Sequence, residues 1–442
     1  VQLTGAQAIV RLLKAEQFQH VFGIVGGKLA PLMHAIAQEP SLRFTGVRHE
    51  AAAPMMAAAH FAASGRMALA VGEMGPGGLN LASGLGVAFN NNLALLAITT
   101  NQHRAAAYPH NGMFMDLDTR AVLAPLTKWN AVVQDARRLP ELVRRALREA
   151  LSGRPGPVHL DIPQDVLSGV VEFADDEFEV PPHRYRPVLG PRPSSAGVQQ
   201  AADVLRGALR PLIVAGGGVV ASGADGQIRA LAALLQAPVV PTQMALGVVP
   251  TDSPHFVGHG GLIAGEPVRA AFEQADVVLS VGCRFSSWMW DEHGPLMRRS
   301  HRVVNINIDP SALGHPALHQ VALQADATQA LDDLLAALQA VLCPRVKMLF
   351  LECPGSLTME VQDVPAMARM ARAAGAQLVI YLAGADPFAA PPPASAPGSF
   401  GAPPLGQGPP PGGPVGPPPG GPAGPPSGPG GGTPPDYNPF QH

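Results

Sequence analysis

Aromatic side chains are scarce in this 442-residue chain, at 5%, and there are only three cysteines, Cys283, Cys343 and Cys353. Three unevenly spaced thiols are too few for a disulfide framework or a zinc site, so they read as free, structural thiols in a reducing cytoplasm. Neither sign of charge is in excess. The formal net charge is −3, and no basic surface argues for nucleic acid or an anionic membrane as a partner. No apolar run reaches the ~20 residues of a membrane-spanning helix, and no basic segment followed by an apolar stretch opens the chain. What is present is 47% hydrophobic residues, enough to bury two or three cores in a soluble, cytoplasmic protein.

Short apolar runs alternate with helical patterns. LTGAQAIVRLLKAEQF (3–18) has apolar residues at helical spacing behind Thr4, a suitable N-cap. HVFGIVGG (20–27), MALAVGE (67–73) and LALLAITT (93–100) suit buried strands that run into loops. Strands alternating with helices imply a parallel sheet covered on both faces. A proline-rich, polar linker at 183–195 separates a first domain, 1–182, from a second, 196–343. There PLIVAGGGV (211–219), APVVPT (237–242), ADVVLSVGC (275–283) and RVVNINID (302–309) read as strands, with helices at 225–236 and 327–342. The glycine turn after 211–215 suits either a phosphate on a helix N-terminus or the tight turn that any such connection needs. A mixed segment, 344–388, leads into a Pro/Gly tail, 389–442, with too few apolar side chains to pack and no strict glycine period. The fold class expected is α/β: two doubly wound parallel-sheet domains, then a short mixed segment and a disordered tail.

Five ordered segments carry chemistry: VFGIVGGKLAPLMHAI (21–36), VRHEAAAPMMAAAHFAASGR (47–66), VGEMGPGGLNLASGLGVAFNNNLALLAITTNQH (71–103), MFMDLDTRAVLAPLTKWN (113–130) and SGRPGPVHLDIPQDV (152–166). In order and spacing they resemble the pyrimidine-binding domain of thiamine-diphosphate enzymes, nearest the acetolactate synthase and oxo-acid decarboxylase group. The resemblance implies thiamine diphosphate as cofactor, a small 2-oxo acid as substrate and a homo-oligomer, at least a dimer. It makes Glu50 the catalytic residue. In the family the matching glutamate hydrogen-bonds N1′ of the aminopyrimidine, and sharing that proton lets the 4′ nitrogen deprotonate thiazolium C2. A plain alternative is a carboxylate at a helix start, stabilised by the macrodipole.

By the same resemblance Val25 and Gly26, with Gly27, face the cofactor ring, and Gly75, Pro76 and Asn80 belong to the turn whose glycines let backbone approach it. Phe114, Met115 and Lys128 match positions near the substrate channel. Val25 stands where much of the family has proline, and Glu73-Met74 replace a small hydroxyl-bearing pair. Met115 replaces a glutamine, Asp116 follows it in place of a glutamate, and Trp129 replaces a histidine. These changes point to an altered acceptor pocket, with core packing as the simpler account of Met115 and Trp129.

Residues 196–343 resemble the central domain of the same enzymes. Arg284 matches a position that touches flavin in some members, but the Ser286-Ser287-Trp288 continuation departs from that form, so FAD is the lesser expectation. The family holds the diphosphate through Mg²⁺ on a third domain marked by Gly-Asp-Gly and a later asparagine pair. Neither Gly223-Ala224-Asp225-Gly226 nor Gly384-Ala385-Asp386 fits that mark, so no residue here is expected to ligate metal. LFLECPGSLTMEVQDVP (349–365) resembles a piece of pyridoxal-phosphate enzymes without their lysine. LVIYLAGADPF (378–388) weakly resembles a metal-binding piece of deacetylase-type hydrolases in which Asp386 would be a ligand, but the partner ligands are absent, and neither piece can run its parent chemistry. Two functional readings follow: a thiamine-diphosphate-dependent carboligase or decarboxylase, or a non-catalytic, truncated or fused assembly subunit.

Overall fold

The computed structural model describes residues 1–107, 112–262, 264–286, 289–291, 294–314, 319–342, 348–353 and 377–382. The expected tail at 389–442 and nearly all of the 344–388 segment, Asp386 included, lie outside the described residues. Val1–Tyr381 forms one compact unit, and Leu382–His442 a second that is almost wholly outside the description.

Two parallel sheets organise the chain, as the alternating pattern predicts. The first has six strands in the order Arg43–Gly46, His20–Gly23, Leu69–Gly72, Leu96–Asn101, Val158–Pro163, Trp129–Val132. Every neighbouring pair is parallel. The second has five, ordered Val239–Pro241, Pro211–Ala215, Val277–Val281, Arg302–Asn307, Val321–Gln324, again all parallel. Helices cover both faces of each sheet, the doubly wound arrangement.

Alternate residues on one strand serve opposite faces. Leu69, Val71, Leu96 and Ile98 face one core with the helices Gly5–Ala15 and Leu139–Leu151. Ala68, Ala70, Leu95 and Ala97 face another, against the helices Ala52–Ser64 and Ala82–Asn90. Small side chains on that second face let the helix following Glu50 lie close to the sheet. Thr4 caps the first helix as its position suggests: its hydroxyl accepts from Gln7 N, and Gln7 Oε1 accepts from Thr4 N, a capping box that satisfies two otherwise orphan amides.

The linker is tied down at both ends. Arg186 pairs with Glu16 of the first domain at 3.0 Å, and Arg192 with Asp333 of the second at 3.1 Å. Arg154 and Asp309, 3.0 Å apart, join the two domains directly. No helix among the described residues is long and apolar enough to cross a membrane.

Candidate functional site

In open parallel sheets the loops leaving the carboxyl ends of the strands build the ligand site. Gly26 follows His20–Gly23, Glu50 follows Arg43–Gly46, and Glu73 and Gly75 follow Leu69–Gly72. The fold therefore collects three of the sequence-singled segments at one sheet edge.

Glu50 sits in the turn before the helix Ala52–Ser64 and is half-buried. Its side chain does not cap that helix. Instead Asn80 Nδ2 donates to Glu50 Oε2 at 3.0 Å, while among the described residues Oε1 has no hydrogen-bond partner and no cation pairs with the carboxylate. The macrodipole account of this residue thus lacks its amide contacts. Oε1 lies beside Gly77, where an added Cβ would come within 3.2 Å of it. Glycine at this position keeps a side chain off the carboxylate, and a pinned carboxylate with one open acceptor oxygen fits a protonated ring nitrogen. On these counts the residues present suit the pyrimidine end of thiamine diphosphate.

Gly75 has φ +67°, a conformation that an L side chain adopts only under strain, and its α-carbon packs on the Met115 backbone, 2.5 Å from Met115 O to an added Cβ. Met115 itself has φ +61°. The structure therefore brings Met115 onto the glycine turn, with Phe114 83% exposed beside it. Pro76 is exposed at the start of the short helix Pro76–Asn80, and Val25, 57% exposed, stands on the neighbouring loop.

Lys128 lies elsewhere. It precedes the strand Trp129–Val132, at the amino edge of the sheet, and its ammonium donates to the carbonyls of Glu149 and Ser152 at the end of the helix Leu139–Leu151. Burial pushes its pKa down to about 8. Arg284 is exposed, Ser287 and Trp288 lie outside the described residues, and Cys283 is a buried thiol that burial pushes up to about 12. In the second domain Gly218 N donates to Gly282 O at 3.1 Å, and a Cβ on Gly218 would come 2.7 Å from Gly282 Cα. Close backbone packing thus accounts for that glycine turn. Among the described residues no three His, Cys, Asp or Glu side chains stand together as a metal site.

Two features escaped sequence reasoning. Glu73, noted only as a departure from the family pattern, accepts from Lys28 N at 3.1 Å and Leu29 N at 3.2 Å. A polar chain also runs beneath the glycine turn. Thr99 Oγ1 lies 2.7 Å from His159 Nε2 and donates to Asp161 Oδ1 at 2.7 Å, which makes Nε2 the protonated nitrogen. Asn101 Nδ2 donates to Asp161 Oδ2 at 2.7 Å, Gln102 N to Asn101 Oδ1 at 2.7 Å, and Gln102 Nε2 to Phe114 O at 3.0 Å. His159 is fully buried and pushed down to about 3, first by burial and then by the charge of Arg120, so it is neutral. The signal was available in part: His159 and Asp161 alternate with apolar residues on Val158–Pro163, on the same face as Thr99 and Asn101 of the paired strand.

Known proteins align with this architecture. Residues 3–122 match the thiamine pyrophosphate enzyme N-terminal TPP binding domain, and residues 198–334 the thiamine pyrophosphate enzyme central domain. A probable acetolactate synthase large subunit of Methanocaldococcus jannaschii is 32% identical over 343 residues, 77% of this chain and 57% of that protein. The acetolactate synthase isozyme 1 large subunit of Escherichia coli is 32% identical over 337 residues, 76% of this chain and 58% of its own length. An acetolactate synthase of Mycobacterium bovis is 32% identical over 76% of this chain and 54% of its own. The chain spans a little over half the length of these relatives.

Proposed function

Because this chain belongs to the thiamine pyrophosphate (thiamine diphosphate) enzyme family, with acetolactate synthases among its relatives, we propose that it serves a carboligase or decarboxylase reaction of 2-oxo acids, with Glu50 as the catalytic carboxylate. When bound, thiamine diphosphate supplies the nucleophilic, electron-accepting chemistry that breaks and forms bonds beside a 2-oxo acid's carbonyl. The chain's own residues prepare that chemistry. Asn80 fixes one oxygen of Glu50, and Gly77 clears the space in front of the other. Half-buried in the turn before the helix Ala52–Ser64, Glu50 would hold a proton shared with the ring nitrogen of the bound cofactor. The free Oε1 beside Gly77 is the observation that carries this reading.

Described residues would hold only the pyrimidine end of the cofactor; none is proposed for Mg²⁺, the diphosphate or FAD. The protein would act in the cytoplasm, as a transferase or lyase. A homodimer is the proposed assembly. The helix after Glu50 is apolar nearly all round, yet leaves Met55 and Met56 exposed at 41% and 37%, a surface that a second copy would cover.

Adding thiamine diphosphate and Mg²⁺ should raise the melting temperature by ligand linkage. Pyruvate should then be consumed, and Glu50→Gln should stop its consumption while preserving the fold. No thermal shift at millimolar cofactor would sink the enzymatic reading and favour the non-catalytic assembly subunit.

A further inference from the structure

The two loops that flank Glu50 are fastened together by one carboxylate. Glu73 leaves the strand Leu69–Gly72 and reaches across to the loop that follows His20–Gly23. Its oxygens accept from Lys28 N at 3.2 and 3.1 Å and from Leu29 N at 3.2 Å, with Thr100 Oγ1 at 3.4 Å. Those amides open the helix Ala30–Ala37, which has no side-chain cap of its own. A carboxylate there meets both orphan N–H groups and the positive end of the helix dipole.

The same side chain closes the gap between the loops. A Cβ on Gly26 would run into Glu73 Oε2, and a Cβ on Gly77 would lie 3.1 Å from Glu73 Cβ and 3.2 Å from Glu50 Oε1. Glu73 therefore occupies the floor between Gly26 and Gly77, with its stem beside the Glu50 cradle and its charge spent on the opposite loop. Around it, Lys28 Nζ is engaged by Gln164 Oε1 at 2.6 Å, so the carboxylate takes backbone amides rather than the nearby ammonium.

We infer that Glu73 is a positioning residue of the cofactor crevice: it latches the Gly26–Gly27 loop to the glycine turn and so sets the width of the slot in front of Glu50. The inference rests on the cofactor reading above, but the latch can be tested without cofactor. In the full chain, Glu73→Ala should speed hydrogen exchange of the Lys28 and Leu29 amides at least about tenfold, the lower end for hydrogen bonds to a charged group. Amides of the strand Val277–Val281, in the other domain, should keep their rates. Gly26→Ala should reproduce the faster exchange by evicting the carboxylate without removing it. The melting-temperature rise on adding thiamine diphosphate and Mg²⁺ should shrink in both variants, and Glu73→Gln, which keeps one acceptor oxygen, should recover part of it.

Unchanged exchange at Lys28 and Leu29, or a uniform rise throughout the domain, would overturn the latch. A cofactor response in Glu73→Ala equal to that of the unsubstituted chain would overturn its positioning role. If the unsubstituted chain ignores the cofactor, the function reading fails, and the positioning role with it, while the exchange rates still decide whether the latch exists.

Discussion

Replacing Gly77 by alanine separates a glycine kept for a ligand from one kept for the fold. Gly77 lies in the helical turn Pro76–Asn80 and has no positive φ, so alanine meets no backbone strain and gains up to about 1 kcal/mol of helix propensity. Against this, the new methyl would sit 3.1 Å from Glu73 Cβ and 3.2 Å from Glu50 Oε1, and a neighbour must yield by a few tenths of an ångström. The half-buried Glu50 side chain is the more movable neighbour, at about 0.5–1.5 kcal/mol for leaving its rotamer with the Asn80 contact to its other oxygen kept. The two terms nearly cancel, so the ligand-free protein should change stability by under about 1 kcal/mol. Cofactor binding should suffer much more. A displaced Glu50 forfeits a hydrogen bond involving a charged group, about 1.5–3 kcal/mol, or roughly 10–150-fold in affinity. At cofactor 100 times the unsubstituted Kd, linkage stabilises by about 2.7 kcal/mol, and a hundredfold loss of affinity would leave about 0.4. Scanning calorimetry with and without thiamine diphosphate and Mg²⁺ reads both numbers. An unchanged cofactor response would refute the claim that Gly77 makes room for a ligand at Glu50. A ligand-free loss above about 3 kcal/mol would show that the glycine serves packing.

Lys128→Met should lower stability by about 1–2 kcal/mol by leaving the Glu149 and Ser152 carbonyls without their donor, read as a lower urea midpoint at unchanged slope. Because burial holds Lys128 near 8, the unfolded chain keeps its proton at pH values where the fold has released it, so the unsubstituted protein should gain on the variant as pH rises from about 8 towards 10.5. His159 carries the opposite test, in acid. The fold keeps it neutral down to about 3 while the unfolded chain titrates near 6.5, so stability should fall with pH through that window, by up to about 1.4 kcal/mol per unit. His159→Gln keeps a donor for Thr99 and should remove that slope; acid unfolding curves that stay parallel would contradict the buried neutral imidazole. For Arg154 and Asp309, both partly exposed, a double-mutant cycle should give coupling below about 1 kcal/mol, and a value above about 2 would mean that the domain junction desolvates the pair.

Most central strands were legible because a parallel sheet buries both their faces and leaves continuous apolar runs, as in Leu69–Gly72, Leu96–Asn101 and Val277–Val281. Val158–Pro163, equally buried but interrupted by His159 and Asp161, was not read as a strand. Edge strands were harder to see. Arg43–Gly46 and Trp129–Val132 flank the first sheet and Val321–Gln324 one side of the second, each half-exposed and spelled RFTG, WNAV and VALQ. With one side open to solvent they lose the apolar run and are too short to show a period of two. The helices Gly5–Ala15 and Ala327–Leu342 announced themselves by periodicity, the first also by its capping box.

The site divides in the same way. Glu50 and Gly75 stand out in sequence because each meets a local demand, a carboxylate beside an apolar helix and a backbone at φ +67°. Asn80, whose partner Glu50 lies 30 positions earlier, was legible only through the family's glycine turn. Glu73 meets a demand set 45 positions earlier, by amides at the start of a helix whose own residues supply no cap. No local window contains both halves of that contact. Its local appearance, an acid closing an apolar strand, reads only as solvated charge. The parallel topology makes the contact: it aligns the carboxyl ends of adjacent strands and so brings loops distant in sequence to one edge. Departures from a family pattern at such edges therefore need partners from another loop before they mean anything, and the two amides on Glu73 supply them here.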